Sequence, residues 1–449
     1  MKVFGSSGVR GLANDELTPG FALQVATAAG DVFGADRVAV ARDTRGTGEM
    51  FVDAVSSGLA SVGADVDRLG IVPTPGLQAY CEREGVPGVV VTASHNPPAY
   101  NGIKLVGSDG TELTRDRLDT VEERLDSEST RADWHQVGTG RRVESARRHY
   151  REQLLAAVDR EAIAGADLTV ALDPGHGAGA LTSPALFREL GCSVLSVNAQ
   201  PDGRFPGRDP EPVAETLGDL RRLVETTHAD LGVAHDGDAD RAIFVDETGS
   251  VVEGDAALAA LAAAELDAGD VVVSAVNASQ RLVDVADAAG ADLHLTAIGS
   301  TNLITAIRDL QADRYRVPIA GEGNGGIMFP DYRVSRDGAY TAARFCELLL
   351  DRSASEIAAA HGGYHNVRRK VGYDDEGERA AMLSAVGAFA SSADAAVDTT
   401  DGYRLDYGDA WVLARPSGTE PVVRVYAEAR EGDRAEDLAA SMVDAIQSA

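Results

Sequence analysis

Short apolar runs alternate with longer stretches of helical periodicity along most of the chain. The segments RVAVARD (37–43), GVVVTAS (88–94), LTVALDP (168–174), DLGVAHD (230–236), DVVVSAV (270–276) and DLHLTAI (292–298) are apolar at most positions and bounded by Gly, Asp or Pro. Such runs predict strands buried on both faces. Between them, residues 48–62, 213–228, 279–289 and 301–311 read as amphipathic or Ala-rich helices. The alternation predicts an α/β fold with mixed or parallel sheets covered by helices. A polar stretch ending in RRVESARRHY predicts a linker near residue 150. VDETGSVVEGD marks a turn and helix start near 250, and AAHGGYHNVRR a break near 365. Beyond that break the pattern becomes a helix, a β-rich stretch and a closing helix. The expected organisation is three α/β units of similar length, 1–150, 151–250 and 251–364, and a smaller α+β unit, 365–449. A chain of 449 residues is too long for one core, in keeping with several domains.

Composition changes this picture in one respect. The net charge is −30, and three lysines stand against 38 arginines. Acidic side chains spread along a chain that nearly excludes lysine suit concentrated salt, where screening removes their mutual repulsion. Such a surface argues against nucleic acid as a partner. Cys81, Cys192 and Cys346 are far apart in apolar company and imply no disulfide framework, as expected of a reducing compartment. The longest apolar run, AALAALAAA (256–264), falls short of the roughly 20 residues of a membrane span, and no targeting segment opens the chain. A soluble, cytoplasmic protein is expected.

Four loops could carry chemistry. In VAHDGDADRAIFVD, Asp236, Asp238 and Asp240 alternate between two predicted strands. Carboxylates crowded this closely repel one another unless a hard divalent cation accepts their oxygens. An EF-hand calcium loop competes with this reading, since Glu247 falls at its twelfth place, although Arg241 stands where that loop needs glycine. A solvated acidic turn is the bland alternative. ARPSGTEPVVRVYAE (414–428) gathers Arg415, Ser417, Thr419 and Arg424 around Gly418, a composition suited to phosphate, with an ordinary hairpin turn as the alternative. AGEGNGGIMFP (320–330) puts Glu322 and Asn324 on a glycine-rich turn fit for sugar hydroxyls, or for a flexible hairpin tip. TASHNPPAYNGIK (92–104) presents Ser94 at a strand's carboxyl end, where α/β domains place ligands, with His95 and Lys104 as candidates for proton transfer and charge compensation. A loop-stabilising histidine and a solvated lysine are the alternatives. The avoidance of lysine elsewhere weakens the second.

Together with FGSSGVRG at the start, these motifs in this order resemble the α-D-phosphohexomutase family, and the resemblance spans the chain. It implies a four-domain architecture in which each domain supplies one loop to a central cleft. It implies that Ser94 is the phosphorylated serine and that Asp236, Asp238 and Asp240 join its phosphate around Mg²⁺. Arg10, His95 and Lys104 would line the reacting phosphate, and Arg241 would sit beside the metal loop. Glu322 and Asn324 would hold sugar hydroxyls, and Arg415, Ser417, Gly418 and Thr419 would clamp the unreactive phosphate. The implied reaction interconverts hexose or hexosamine 6- and 1-phosphates through a hexose bisphosphate. Many bacterial members carry Ser and His where this chain has Asn324 and Gly326, and some phosphomannomutases have a lysine where it has Asn277. GEGNGG with IGSTN is similar to archaeal-type members assigned as phosphoglucosamine mutases, and mannose or glucose phosphates are the alternative substrates. Two further functions compete: a hydrolase that loses its phosphoserine to water, against which a second phosphate clamp argues, and a noncatalytic sugar-phosphate sensor.

Overall fold

Each of the six apolar runs forms a strand, and twenty-one strands assemble into four sheets among the residues described by the computed structural model, 3–5, 8–127, 131–417 and 420–448. The first sheet has the order Val9–Leu12, Tyr100–Val106, Gly88–Val91, Arg37–Arg42, Asp65–Ile71, Gly140–Arg142. The second runs Val251–Val252, Ile243–Asp246, Leu231–Ala234, Thr169–Asp173, Ser193–Ser196, and the third Asp292–Thr296, Val271–Ala275, Ala320–Glu322, Gly326–Phe329, Arg333–Arg336. All three are parallel on one side and antiparallel on the other. The fourth, His365–Gly372, Val422–Ala429, Ala410–Pro416, Tyr403–Asp406, Ala396–Asp398, is antiparallel throughout. Two helices, Glu376–Ser392 and Gly432–Gln447, pack with it around a core of its own.

The candidate loops share one topological position. Residues 92–99, 235–242, 323–325 and 417–421 each join two neighbouring antiparallel strands. In the first three sheets the strand entering the loop is the last of the parallel set, so the loop leaves from its carboxyl end. Ligands in α/β sheets collect at such switch points.

The alanine-rich run becomes the helix Gly254–Glu265, buried from Ala256 to Ala262. A helix apolar on every side belongs in an interior. This one lies in a single core with residues of the second and third sheets, where Phe244 and Phe345 stack at 4.2 Å between ring centroids. Among the described residues no helix is long and apolar enough to cross a membrane. All three cysteines are free and buried.

Three segments differ from expectation. The stretch near residue 150 lies within a helix, Ala146–Ala156, because Ala146, Tyr150 and Leu154 recur every four residues and bury one face. The helix expected over 213–228 begins only at Gly218: Thr216 Oγ1 accepts from the Val213 amide and donates to the Glu211 carbonyl, closing residues 211–216 into a turn. The fourth unit opens with the strand His365–Gly372, whose charged run HNVRRKVG hid a ladder to Val422–Ala429.

Removing the ring at position 244 (Phe244→Ala) should cost about 3–5 kcal/mol by opening a cavity in the shared core. A shift in the denaturant midpoint at constant salt measures it.

Candidate active site

The serine loop is fastened before it is functional. Arg45, fully buried, binds Asp43 at 3.0 Å and donates to the carbonyls of Ser94, Asn96, Pro97 and Tyr100 at 2.6–3.0 Å. Asp43 also accepts from Thr92 Oγ1 at 2.7 Å, and that hydroxyl accepts from the Ser94 amide at 2.9 Å. One arginine thus satisfies three carbonyls of the loop and that of the strand residue it leads into, which water would otherwise have to solvate. Ser94 is held at φ +50°, an uncommon conformation for a residue with a side chain.

This constraint brings Ser94 onto the aspartate loop. Its hydroxyl donates to Asp236 Oδ2 at 2.5 Å, and both groups are buried. Gly237 makes the approach possible, since a Cβ there would lie 2.7 Å from the Ser94 carbonyl oxygen. Carboxylate oxygens of Asp236, Asp238 and Asp240 lie within 4.8 Å of one another. Asp238 Oδ2 accepts from Thr74 Oγ1 at 2.5 Å and lies 3.4 Å from Lys104 Nζ. Asp240 Oδ2 lies 3.0 Å from Lys104 Nζ and 2.6 Å from Arg336 Nη2. The other oxygen of each, Oδ1, is buried without a hydrogen bond. Two orphaned carboxylate oxygens beside the Ser94–Asp236 pair are the donor set a divalent cation takes. The EF-hand alternative fails on geometry: Glu247 turns away to accept from the amide and hydroxyl of Ser355.

Charge sets the protonation of the cluster. Burial, then Asp240 and Asp238, push the Asp236 carboxyl far above its usual range. Burial pushes Asp240 up as well, but Arg336, Lys104 and Arg241 outweigh it and hold this carboxyl far below that range. Burial would pull Lys104 down, yet Asp240, Asp238 and Glu112 leave it a firmly protonated cation. His95 is held neutral, chiefly by the Arg241 guanidinium and then by burial. Its Nδ1 accepts from Arg241 Nη2 at 2.9 Å and lies 3.4 Å from Ser94 Oγ. Arg10 reaches the same loop through Asn96 Oδ1 at 2.7 Å.

A cleft of about 300 Å³ opens above this cluster, lined by His95 and Arg241 on one side and Glu322, Asn324, Arg415 and Arg424 on the others. All four units therefore reach it. Asn324 Oδ1 accepts from the Gly326 amide at 3.0 Å, which bends the turn so that Glu322 and Asn324 face the cleft. Arg415 is steered by Asp401 at 2.9 Å, and Arg424 by Glu420 at 2.7 Å. Ser417 Oγ accepts from the Glu420 amide at 3.3 Å, while Gly418 and Thr419 lie outside the described residues. Arg45, Thr74, Glu112, Asp255, Arg336 and Arg368 were not singled out from sequence. Only the acid-base pair in ARDTRG, directly after a strand, hinted at Arg45.

Four family models match consecutively: phosphoglucomutase/phosphomannomutase alpha/beta/alpha domain I over residues 1–132, domain II over 148–249, domain III over 253–363, and the C-terminal domain over 368–445. The chain is 42% identical to a phosphoglucomutase/phosphomannomutase of Thermococcus kodakarensis, with 97% of this chain and 96% of that protein covered. It is 39% identical to a "probable phosphoglucosamine mutase" of Methanopyrus kandleri, with 99% and 98% covered. The crystal structure of a phosphoglucomutase/phosphomannomutase family protein from Burkholderia thailandensis is similar to it at TM-score 0.86 and 26% identity, over 99% of this chain and 97% of that one.

Behind the aspartate loop, buried His235 donates from Nδ1 to the Arg241 carbonyl at 2.8 Å and meets Ser183 Oγ at 3.0 Å through Nε2. Burial lowers its pKa to about 4 from 6.5. The unfolded chain therefore binds a proton that the folded one refuses as pH falls below 6.5, and stability is lost in that direction. The stability difference between wild type and His235→Asn should shrink by on the order of 3 kcal/mol between pH 7 and pH 4, measured by urea denaturation. A constant difference would show that His235 does not titrate as described.

Proposed function

We propose, on the premise that the chain belongs to the phosphoglucomutase/phosphomannomutase family, that it isomerises hexosamine 6-phosphate and hexosamine 1-phosphate through a phosphorylated Ser94. The observation that carries this reading is Ser94 Oγ at 2.5 Å from Asp236, buried directly behind His95 and Arg241, which line a cleft shared with Arg415 and Arg424. A serine beside three carboxylates is a poor nucleophile by itself, and a phosphate on it needs cations. Asp236, Asp238 and Asp240, with an oxygen of the Ser94 phosphate, would hold Mg²⁺, which supplies positive charge to the phosphoryl oxygens during transfer.

The chain's own residues do the rest. Phosphoryl transfer needs in-line positioning and charge neutralisation more than covalent assistance. Arg415, Ser417, Gly418, Thr419 and Arg424 hold the substrate's unreactive phosphate and so fix which hydroxyl faces Ser94. Glu322 and Asn324 orient the ring by its hydroxyls. Lys104, Arg10 and Arg241 surround the transferring group. His95, neutral and beside Ser94 Oγ, lines the transferring group with them and holds the Arg241 guanidinium in place through Nδ1. The bisphosphate then turns over in the cleft, and Ser94 recovers its phosphate from the other end.

Carboxylates in the cleft wall, Glu211, Asp255 and Glu322, support an amino sugar over a neutral one, because they can face a 2-ammonium group. Names such as that of the Methanopyrus relative agree with it. The 42% identical Thermococcus relative favours glucose and mannose phosphates as the second reading. The buried free cysteines support a reducing, cytoplasmic setting.

Ser94→Ala should abolish turnover while sugar-phosphate binding survives, and intact-mass measurement during turnover should show one phosphate on the wild type that the variant lacks. Release of free phosphate in place of the isomer would instead indicate a hydrolase. Chelation with EDTA should remove activity and Mg²⁺ restore it. Kinetics with glucosamine, glucose and mannose monophosphates side by side decide the substrate, and the amino-sugar reading fails if glucosamine phosphate has the lowest kcat/KM.

A further inference from the structure

The cross-strand register of the fourth sheet places more cations on the cleft than its connecting loop does. Directly opposed residues share a face of the sheet. Arg368 stands opposite Tyr426, Lys370 opposite Arg424, and Arg424 opposite Arg415, so one face carries Arg368, Lys370, Arg424 and Arg415. Lys370 and Arg424 share Glu420, and Arg415 has Asp401. Across the cleft, Arg241 and Arg336 both reach Asp240. Arg368 alone among the arginines lining the cleft has no carboxylate within 4.0 Å among the described residues. Among the described residues its guanidinium makes one hydrogen bond, from Nε to Asn366 Oδ1 at 3.3 Å, on a residue two positions earlier and so on the same face. Asn366 thereby holds the guanidinium by its stem and leaves both terminal nitrogens for a ligand.

We propose that Arg368 is a further phosphate-binding residue of this site, gripping the unreactive phosphate of the bound sugar phosphate through its two terminal nitrogens. The inference rests on the sugar-phosphate reading of the cleft. A cation without a carboxylate partner in a wall where every other arginine has one is the group with least to give up when an anion arrives. Planar guanidinium matches two phosphate oxygens at once, and an ammonium cannot. Arg368 sits on a strand of the fourth sheet, so its contact would follow that unit as a body and register how it sits over the substrate. Asp255, in the same cleft wall, is the competing partner.

Arg368→Gln and Arg368→Lys are the test. In a Ser94→Ala background, calorimetric affinity for glucose 1,6-bisphosphate and for inorganic phosphate should fall about 10- to 100-fold in Arg368→Gln. Arg368→Lys should recover only part of it. In the active enzyme KM should rise by a similar factor with a smaller change in kcat. Arg368 is exposed on its strand, so the thermal midpoint should not move. Unchanged bisphosphate affinity in Arg368→Gln overturns the proposal. So does an equal loss in Asp255→Asn that does not add in the double variant, since Arg368 would then act as an ion-pair latch to Asp255. A wild type that binds the bisphosphate but isomerises no sugar phosphate overturns the reading of the site, while the comparison of bisphosphate affinities still decides the role of Arg368.

Discussion

Three carboxylates crowded within 4.8 Å in the protein interior are the constraint to which the rest of the molecule answers. Burying even one unpaired charge is costly, so such a cluster persists only where cations and donors converge on it. They come from different units. Lys104 and Thr74 belong to the first, Arg241 to the second, and Arg336 to the third. The contacts of Thr74, Lys104 and Arg336 couple the aspartate loop of the second unit to the first and third, alongside the apolar core that the second and third sheets share. With two oxygens left without a hydrogen bond, the cluster has donors to offer a cation.

The chain's overall charge and its cleft have opposite signs. A protein of net charge −30 would repel a sugar phosphate at long range. In concentrated salt that repulsion is confined to a few ångströms, and what remains is the local arrangement of Arg241, Arg336, Arg368, Arg415 and Arg424 around the cleft. Arginine suits this task better than lysine, being weakly hydrated and always charged. Lys104 is the buried exception, its ammonium divided between Asp240, Asp238 and Glu112, where a compact charge fits three acceptors from different directions.

Much of the site was legible because its chemistry is local in sequence. Asp236, Asp238 and Asp240 alternate along one loop, so residue type and spacing point to a cation, whereas Glu322 and Asn324 on one turn suit hydroxyls or a flexible tip equally until the family resemblance is added. Arg45 was invisible because its partners, the carbonyls of 94–100, are unremarkable in any sequence and lie about fifty residues away. Arg336 and Arg368 look like ordinary charged strand residues until cross-strand register and packing between units aim them at the cleft. The helix around Tyr150 and the strand around Arg368 were missed for the same reason: a narrow buried face or a polar ladder is decided by what packs against it.

The sequence by itself determined the six predicted strands, the α/β alternation with its different last unit, and which residue kinds each loop presents, because strand burial, helix periodicity and loop composition are all short-range properties of the chain. Only the tertiary structure decided that Ser94 lies against Asp236, that Glu247 takes no part in the carboxylate cluster, that Asp238 and Asp240 each keep an oxygen without a hydrogen bond, and that the fourth sheet turns a row of cations to the cleft. These facts depend on distances between residues up to about 140 positions apart, which the packing of one unit on another sets and no local pattern encodes.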